Sequence, residues 1–333
     1  MVKICQEPYT NMEKYQQYFD IFPYELSAFQ KYSIEGIVEG HHVLVCAPTG
    51  SGKTLPAEFA IQYFHEKGKK VIYLSPIKAL TNQKYYEFGQ KYPHIQFGLL
   101  TGDIKTNPNA DVVIMTTEIF MNALFVMDKQ DVNELSFHID INEIGCVVFD
   151  EVHYINDTER GQVWEKTILM LPQNIQMVML SATIDNPQGF ASWIENRYTN
   201  DDKIVYLAYT NHRIVPLHHY GFLTTSEMIF KKIKDKDLQK QIRDNTNKLI
   251  DLQGPTGGFK EQGYRDIIRF RELFEKNQVN INRKHALNQL ALFLRDRDML
   301  PAIVFVFSRK NVEAFASEIT IPLLEDDSKV PYI

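Results

Sequence analysis

The sequence predicts a doubly wound α/β domain, and three observations carry that expectation. Short β-branched or apolar runs recur at 43–46, 71–74, 112–115, 147–149 and 177–180, none with an interior charge. Amphipathic stretches of helix length, such as 57–66 and 78–91, separate most of them. The first run leads directly into a Gly-rich loop at 47–54. Uninterrupted apolar strands alternating with helices read as a parallel sheet covered on both faces. A glycine loop between such a strand and a helix is where these sheets hold phosphate groups.

The order of elements supports about two domains in 333 residues. A short strand-like run at 204–207 ends the alternating part. Beyond it, 228–252 is rich in Lys, Asp and Gln and reads as one solvated amphipathic helix. Gly254-Pro255-Thr256-Gly257-Gly258 is a loop by composition. Helical patterns follow at 264–275 and 285–294, then a buried strand at 303–307 and a helix at 309–318. The expected division is an N-terminal segment 1–25, a nucleotide-binding α/β domain 26–212, a charged helical linker or insertion 213–298, and the opening of a second, incomplete α/β domain 299–333.

Composition narrows the class. With 44% hydrophobic and 23% charged residues the chain is neither disordered nor fibrous. The 36 basic and 42 acidic side chains give a net charge of −6, which excludes a histone-like binder but leaves room for a local basic groove. No apolar run reaches the roughly 18 residues of a spanning helix, so no membrane partner is expected. Residues 1–8 lack the apolar core of a secretory signal. Cys5, Cys46 and Cys146 are odd in number and far apart, which fits buried free thiols in an intracellular, reducing compartment.

Ala47-Pro48-Thr49-Gly50-Ser51-Gly52-Lys53-Thr54 has the spacing of a nucleotide-binding loop, with Ala47 where the first glycine usually stands. Gly50 and Gly52 let backbone N–H groups close around phosphate oxygens, and the following helix adds its positive end. Lys53 is placed for the β- and γ-phosphates, and Thr54 for Mg2+. Farther on, an apolar strand runs into Asp150-Glu151-Val152-His153. That delivers two carboxylates to the sheet edge where ligands bind. Asp150 is the candidate Mg2+ holder and Glu151 the candidate base for the attacking water. His153, one turn on, either links the nucleotide site to another element or makes only a structural hydrogen bond.

These motifs stand in an order that resembles superfamily-two helicases of the DExH class, most closely the superkiller-like RNA helicases that serve the RNA exosome. Phe29-Gln30 precedes the loop. Ser75-Pro76-Ile77-Lys78-Ala79-Leu80-Thr81-Asn82-Gln83, Thr101-Gly102-Asp103 and Thr116-Thr117-Glu118 follow it. Glu159-Arg160-Gly161-Gln162-Val163-Trp164-Glu165, Ser181-Ala182-Thr183, His212-Arg213-Ile214-Val215-Pro216-Leu217 and Phe305-Val306-Phe307-Ser308-Arg309-Lys310 complete the set. The resemblance covers nearly the whole chain. It implies a RecA-like first domain binding ATP and Mg2+, with a second RecA-like domain closing over them and giving an arginine to the γ-phosphate. It implies that Gln30 reads the adenine edge; the Ser27 to Gln30 spacing is equally that of a helix capping box. It places Pro76, Lys78, Thr101, Gly102, Thr116 and Thr117 along a single-strand track that grips phosphates without reading bases. Threonines after strands are also ordinary helix caps. It gives Ser181 and Thr183 the role of coupling hydrolysis to strand separation.

The chain also departs from the family. No arginine follows Arg309, so the paired arginines of a second motor domain are missing, as are the winged-helix, ratchet and arch modules. The expectation is an ATP-dependent RNA helicase motor that binds ATP but turns it over weakly alone, as a fragment or as a chain completed by another. A non-catalytic ATP-dependent clamp or adaptor, and a DNA helicase of the same superfamily, are the competing expectations.

Overall fold

A computed structural model describes residues 1–128, 140–182, 184–197, 203–255 and 257–323. The chain divides into two compact units at Val215/Pro216.

In the first unit, every strand expected from the sequence forms: β2 (His42–Cys46), β3 (Lys70–Ser75), β6 (Val112–Thr116), β7 (Ile144–Phe149), β8 (Gln176–Ser181) and β9 (Val205–Tyr209). Three further strands join them, namely β1 (Lys3–Cys5), β4 (Phe97–Leu100) and β5 (Lys105–Thr106). The sheet order is β1-β9-β2-β8-β7-β3-β6-β4-β5, with every pairing parallel except β4 with β5. Helices α1 (Met12–Phe19), α2 (Ala28–Val38), α3 (Leu55–Glu66), α4 (Lys78–Lys91), α5 (Thr117–Asp128), α6 (Gly161–Met170) and α7 (Pro187–Glu195) accompany it.

The period-two geometry of strands splits the core into two layers. Val43, Val45, Val71 and Tyr73 pack on one face with Phe59, Phe88 and Phe29. Leu44, Cys46, Ile72 and Leu74 pack on the other with Phe149, Trp164 and Ile168. Both faces are covered, which is why the strands carry no polar alternation. The N-terminal strand is fastened by charge as well as by pairing: Lys3 Nζ donates to Glu35 Oε1 at 2.6 Å and to the Tyr206 hydroxyl at 3.1 Å.

All three cysteines are free and buried, as read from the sequence. Burial pushes the Cys5 and Cys46 thiols up to about 12, and Cys146 higher still. At neutral pH almost no thiolate exists to react. Alkylation of the native chain should therefore be negligible and should reach all three thiols only in denaturant. Rapid labelling of the native protein would contradict this burial.

The second unit departs from the sequence reading. Residues 228–252 are not one helix but α8 (Met228–Lys232), α9 (Lys236–Asn245) and β11 (Lys248–Gln253). The Asp235 carboxylate caps a fresh helix by accepting from the N–H groups of Asp237 and Leu238. Asn247, at φ 54°, turns the chain into β11. That strand pairs antiparallel with β10 (His219–Leu223), closed by Asn247 N–H to Leu223 O at 2.7 Å. Helices α10 (Glu261–Lys276), α11 (Arg283–Asp296) and α12 (Arg309–Glu318) follow. The core here is small: Ile229, Ile233, Ile242, Phe270 and Phe274.

The buried strand expected at 303–307 is likewise not formed. The segment joins no sheet, and Ile303, Val304, Phe305 and Phe307 are exposed by 81, 52, 82 and 104%. An apolar run becomes a strand only where a neighbour accepts its hydrogen bonds, and no described residue pairs with it.

Candidate active site

The register of the sheet brings the motifs to one edge. Cys46 pairs with Ser181, Phe149 with Leu74 and Met179, and Ser75 with Thr116. The carboxyl ends of β2, β8, β7, β3 and β6 therefore lie side by side. The phosphate loop leaves β2, and Asp150-Glu151 leaves β7.

The loop is held from both ends. Ala47 N–H donates to Ser181 O at 3.1 Å, and Ala47 is fully buried in the core. The Ser51 hydroxyl donates to Pro48 O at 2.7 Å. Gly50 and Gly52 sit at φ 84° and 83°, a region that disfavours any Cβ. At Gly52 a Cβ would also stand 2.7 Å from Gln30 Nε2. Helix α3 starts at Leu55, with Thr54 at its N-cap position and Pro56 in its first turn.

Gln30 makes the capping box and also reaches the phosphate loop. Its Oε1 accepts from the Ser27 N–H at 2.9 Å and the Ser27 hydroxyl at 3.0 Å, the capping-box arm. Its Nε2 donates to Gly52 O at 3.1 Å. The glutamine thus joins the start of α2 to the phosphate loop, and one Nε2 proton remains for a ligand.

Lys53 Nζ donates to both carboxylate oxygens of Glu151, each at 2.9 Å. Glu151 has φ 54°, a left-handed backbone that costs about 1–2 kcal/mol in a non-glycine residue. Such strain persists where surrounding contacts impose it. Here those are the pair with Lys53, the hydrogen bond from Tyr154 N–H to Glu151 O at 3.0 Å, and the anchoring of Asp150 beside it.

Asp150 is only 6% exposed. Its N–H donates to Leu74 O at 2.9 Å, and its Oδ2 accepts from the Tyr73 hydroxyl at 2.7 Å. Burial raises its pKa; the Tyr73 hydrogen bond pulls it back, and the Glu151 charge pushes it up again. His153 Nδ1 lies 3.4 Å from Glu151 Oε2 without hydrogen-bond geometry, and burial keeps its pKa below the ordinary histidine value. At neutral pH it is an uncharged neighbour of Glu151.

The residues assigned to the single-strand track follow β3, β4 and β6. Lys78, in the first turn of α4, forms an ion pair with Asp103 at 2.6 Å. A Cβ on Gly102 would be 3.4 Å from Lys78 Nζ, so these two meet. The Thr101 hydroxyl accepts from Ile104 N–H at 3.1 Å, the turn-capping contact. Pro76 is buried, and its carbonyl accepts from the Arg160 guanidinium at 3.4 Å. Thr116 ends β6, and Thr117 opens α5 with a buried hydroxyl that has no hydrogen-bond partner among the described residues. The Ser181 hydroxyl is also buried without a hydrogen-bond partner among the described residues; Thr183 lies outside them.

Sequence reasoning missed Tyr73 altogether, and gave no role to Asp103 and Arg160 although both stand inside motifs quoted for the resemblance. For Tyr73 the sequence offers only a weak hint: a tyrosine inside a fully buried strand needs a partner for its hydroxyl.

A parallel sheet with a glycine phosphate loop, a lysine and two strand-end carboxylates on one edge defines a P-loop nucleotide-binding domain. Residues 27–190 match the DEAD/DEAH box helicase family. The chain carries a DEAD/DEAH box helicase domain, and over most of its length it is similar to DExH-type helicases. It is 34% identical to the DExH-box ATP-dependent RNA helicase DExH9 of Arabidopsis thaliana, over 92% of this chain and 29% of that protein. It is 34% identical to the exosome RNA helicase MTR4 of Homo sapiens, over 90% and 26%, and to the antiviral helicase SKI2 of Saccharomyces cerevisiae, over 89% and 25%. The chain thus spans less than a third of the length of these relatives. Among solved structures, the DUF1998 helicase MrfA bound to DNA aligns over 63% of this chain and 31% of that one, at TM-score 0.46 and 18% identity.

Proposed function

We propose that the chain is the ATP-binding part of an RNA helicase motor, with ATP and Mg2+ held where Lys53, Asp150 and Glu151 meet. The observation that carries this is the Lys53–Glu151 pair, 2.9 Å in both contacts, at the mouth of the phosphate loop and beside the buried Asp150. The donor set fits the ligand. Among the described residues no three acidic, histidine or cysteine side chains gather to hold a metal alone. One carboxylate, Asp150, and one hydroxyl, Thr54, suit an ion that keeps its water and shares phosphate oxygens. When bound, Mg2+ neutralises phosphate charge. The chain's own residues do the rest: Lys53 leaves Glu151 for the phosphates, Gln30 offers Nε2 to the adenine edge, and Glu151, once released, orients and deprotonates the attacking water.

The same sheet edge continues into Pro76, Lys78, Thr101, Gly102, Thr116 and Thr117, which would hold the RNA backbone. Contacts of that kind make binding nearly independent of sequence and strongly dependent on salt. In the free chain Lys78 is occupied by Asp103, so RNA has to displace a carboxylate. Lys78→Ala should weaken RNA binding and lower the slope of log affinity against log salt by about 0.7, the share of one single-strand phosphate contact. Asp103→Asn should strengthen binding. A K78A variant with unchanged affinity and slope removes Lys78 from the track.

The exposed apolar segment 303–307 supports the reading that a second RecA-like domain completes the motor and supplies the arginine to the γ-phosphate. Alone, the chain then binds ATP and turns it over slowly. The test is ATP turnover with RNA, with DNA and without nucleic acid. Stimulation by RNA supports the motor reading. Stimulation by DNA alone makes it a DNA helicase part, and ATP-dependent RNA binding without turnover makes it a clamp.

A further inference from the structure

We propose that Tyr73 is a positioning residue of the nucleotide site: its hydroxyl holds one oxygen of Asp150 so that the other faces the hydrated cation. The inference rests on the ATP-site reading and deepens it. Tyr73 is a fully buried side chain in the middle of β3, between β6 and β7, and has no exposed surface of its own. Its ring is held edge-on by Phe88 at a centroid distance of 5.4 Å. The hydroxyl donates to Asp150 Oδ2 at 2.7 Å, the short distance of a charge-assisted hydrogen bond.

No other side-chain donor to the Asp150 carboxylate is seen among the described residues, and the carboxylate is almost fully buried. A buried carboxylate with one oxygen bonded cannot rotate freely. Rotation would break the Tyr73 hydrogen bond, the one seen among the described residues to offset the carboxylate's loss of water. The bond therefore fixes which oxygen is turned inward and which is left for the cation. Partners of this kind orient ligands elsewhere, and their loss typically weakens metal affinity about ten- to a hundredfold.

Asp150 is tied to β3 twice, because its N–H also donates to Leu74 O. Two consecutive residues of β3 thus hold the acid, and Pro76 and Lys78, which begin the proposed RNA track, follow within five residues of Tyr73 on the same chain segment. A shift in β3 on gripping RNA would reach Asp150 without any intermediate element.

The experiment is a Mg2+ titration of fluorescent N-methylanthraniloyl-ADP binding, with EDTA as the metal-free reference, on wild type and Tyr73→Phe. The phenylalanine keeps the ring and removes only the donor. The expected result is unchanged affinity in EDTA, which also reports an intact fold, with the Mg2+ midpoint raised about tenfold. A purely structural tyrosine would move both or neither. In the Asp150→Asn background, where no buried carboxylate loses its donor, Y73F should have no further effect. A Y73F midpoint within about twofold of wild type, or a further loss in the D150N background, overturns the positioning role. A wild type whose binding ignores Mg2+ overturns both this role and the site reading beneath it.

Discussion

Lys53→Ala should lower ATP affinity about ten- to a hundredfold while leaving the fold intact. The magnitude follows from removing charge-assisted hydrogen bonds, each contributing about 1.5–3 kcal/mol, with 1.36 kcal/mol to each factor of ten. The fold survives because Lys53 is a member of neither hydrophobic core layer, and its side-chain hydrogen bonds among the described residues are the two to Glu151. Losing it does leave Glu151 without its cation. That carboxylate is a quarter exposed, so water replaces much of what the lysine supplied. Adenosine, which has no phosphate, separates this effect from a general collapse of the site. K53A should bind adenosine as wild type does and lose only the phosphate-dependent affinity. Calorimetry with ATP and adenosine on both proteins reads the difference. Equal ATP affinity in the two would remove the phosphate-loop assignment.

What the sequence made legible is what local spacing determines. The loop 47–54 must sit between β2 and α3 because its glycines, lysine and threonine are read within eight residues. Asp150 and Glu151 had to reach the same edge because β7 is apolar up to Phe149 and parallel strands all end on one side. Tyr73 was not legible as a site residue, since its partner lies 77 positions away and a tyrosine in a strand equally suits plain packing. The stretch 228–252 was misread because a polar, Lys-rich composition is shared by solvated helices and exposed ribbons. The Asp235 cap and the left-handed Asn247 decide between them, and both act through single residues. The run at 303–307 has strand composition, yet strand formation depends on a neighbour that composition cannot supply. Strand β1 was overlooked because three residues are too few for a pattern; its pairing with β9 and the Lys3–Glu35 contact hold it.

Glu151→Gln should separate the two states of the nucleotide site. Turnover stimulated by RNA should fall about a hundred- to ten-thousandfold, the usual contribution of a positioned general base. ADP affinity should move the other way. In the free chain both Glu151 oxygens hold Lys53, and a nucleotide must take the lysine from them. Glutamine is neutral and competes less for the ammonium group. It also removes a negative charge that would face the phosphates once Lys53 has moved. The left-handed backbone at residue 151 is equally available to glutamine, so the substitution adds no new strain beyond that already present. A damaged fold would lower turnover and ADP affinity together, whereas loss of the base lowers the first and raises the second. ADP is the ligand of choice because it lacks the γ-phosphate that the proposed reaction removes, so its tighter binding reports the freed lysine and not trapped substrate. Weaker ADP binding by E151Q, or turnover near that of wild type, would mean that Glu151 restrains Lys53 in the resting chain without serving as the base.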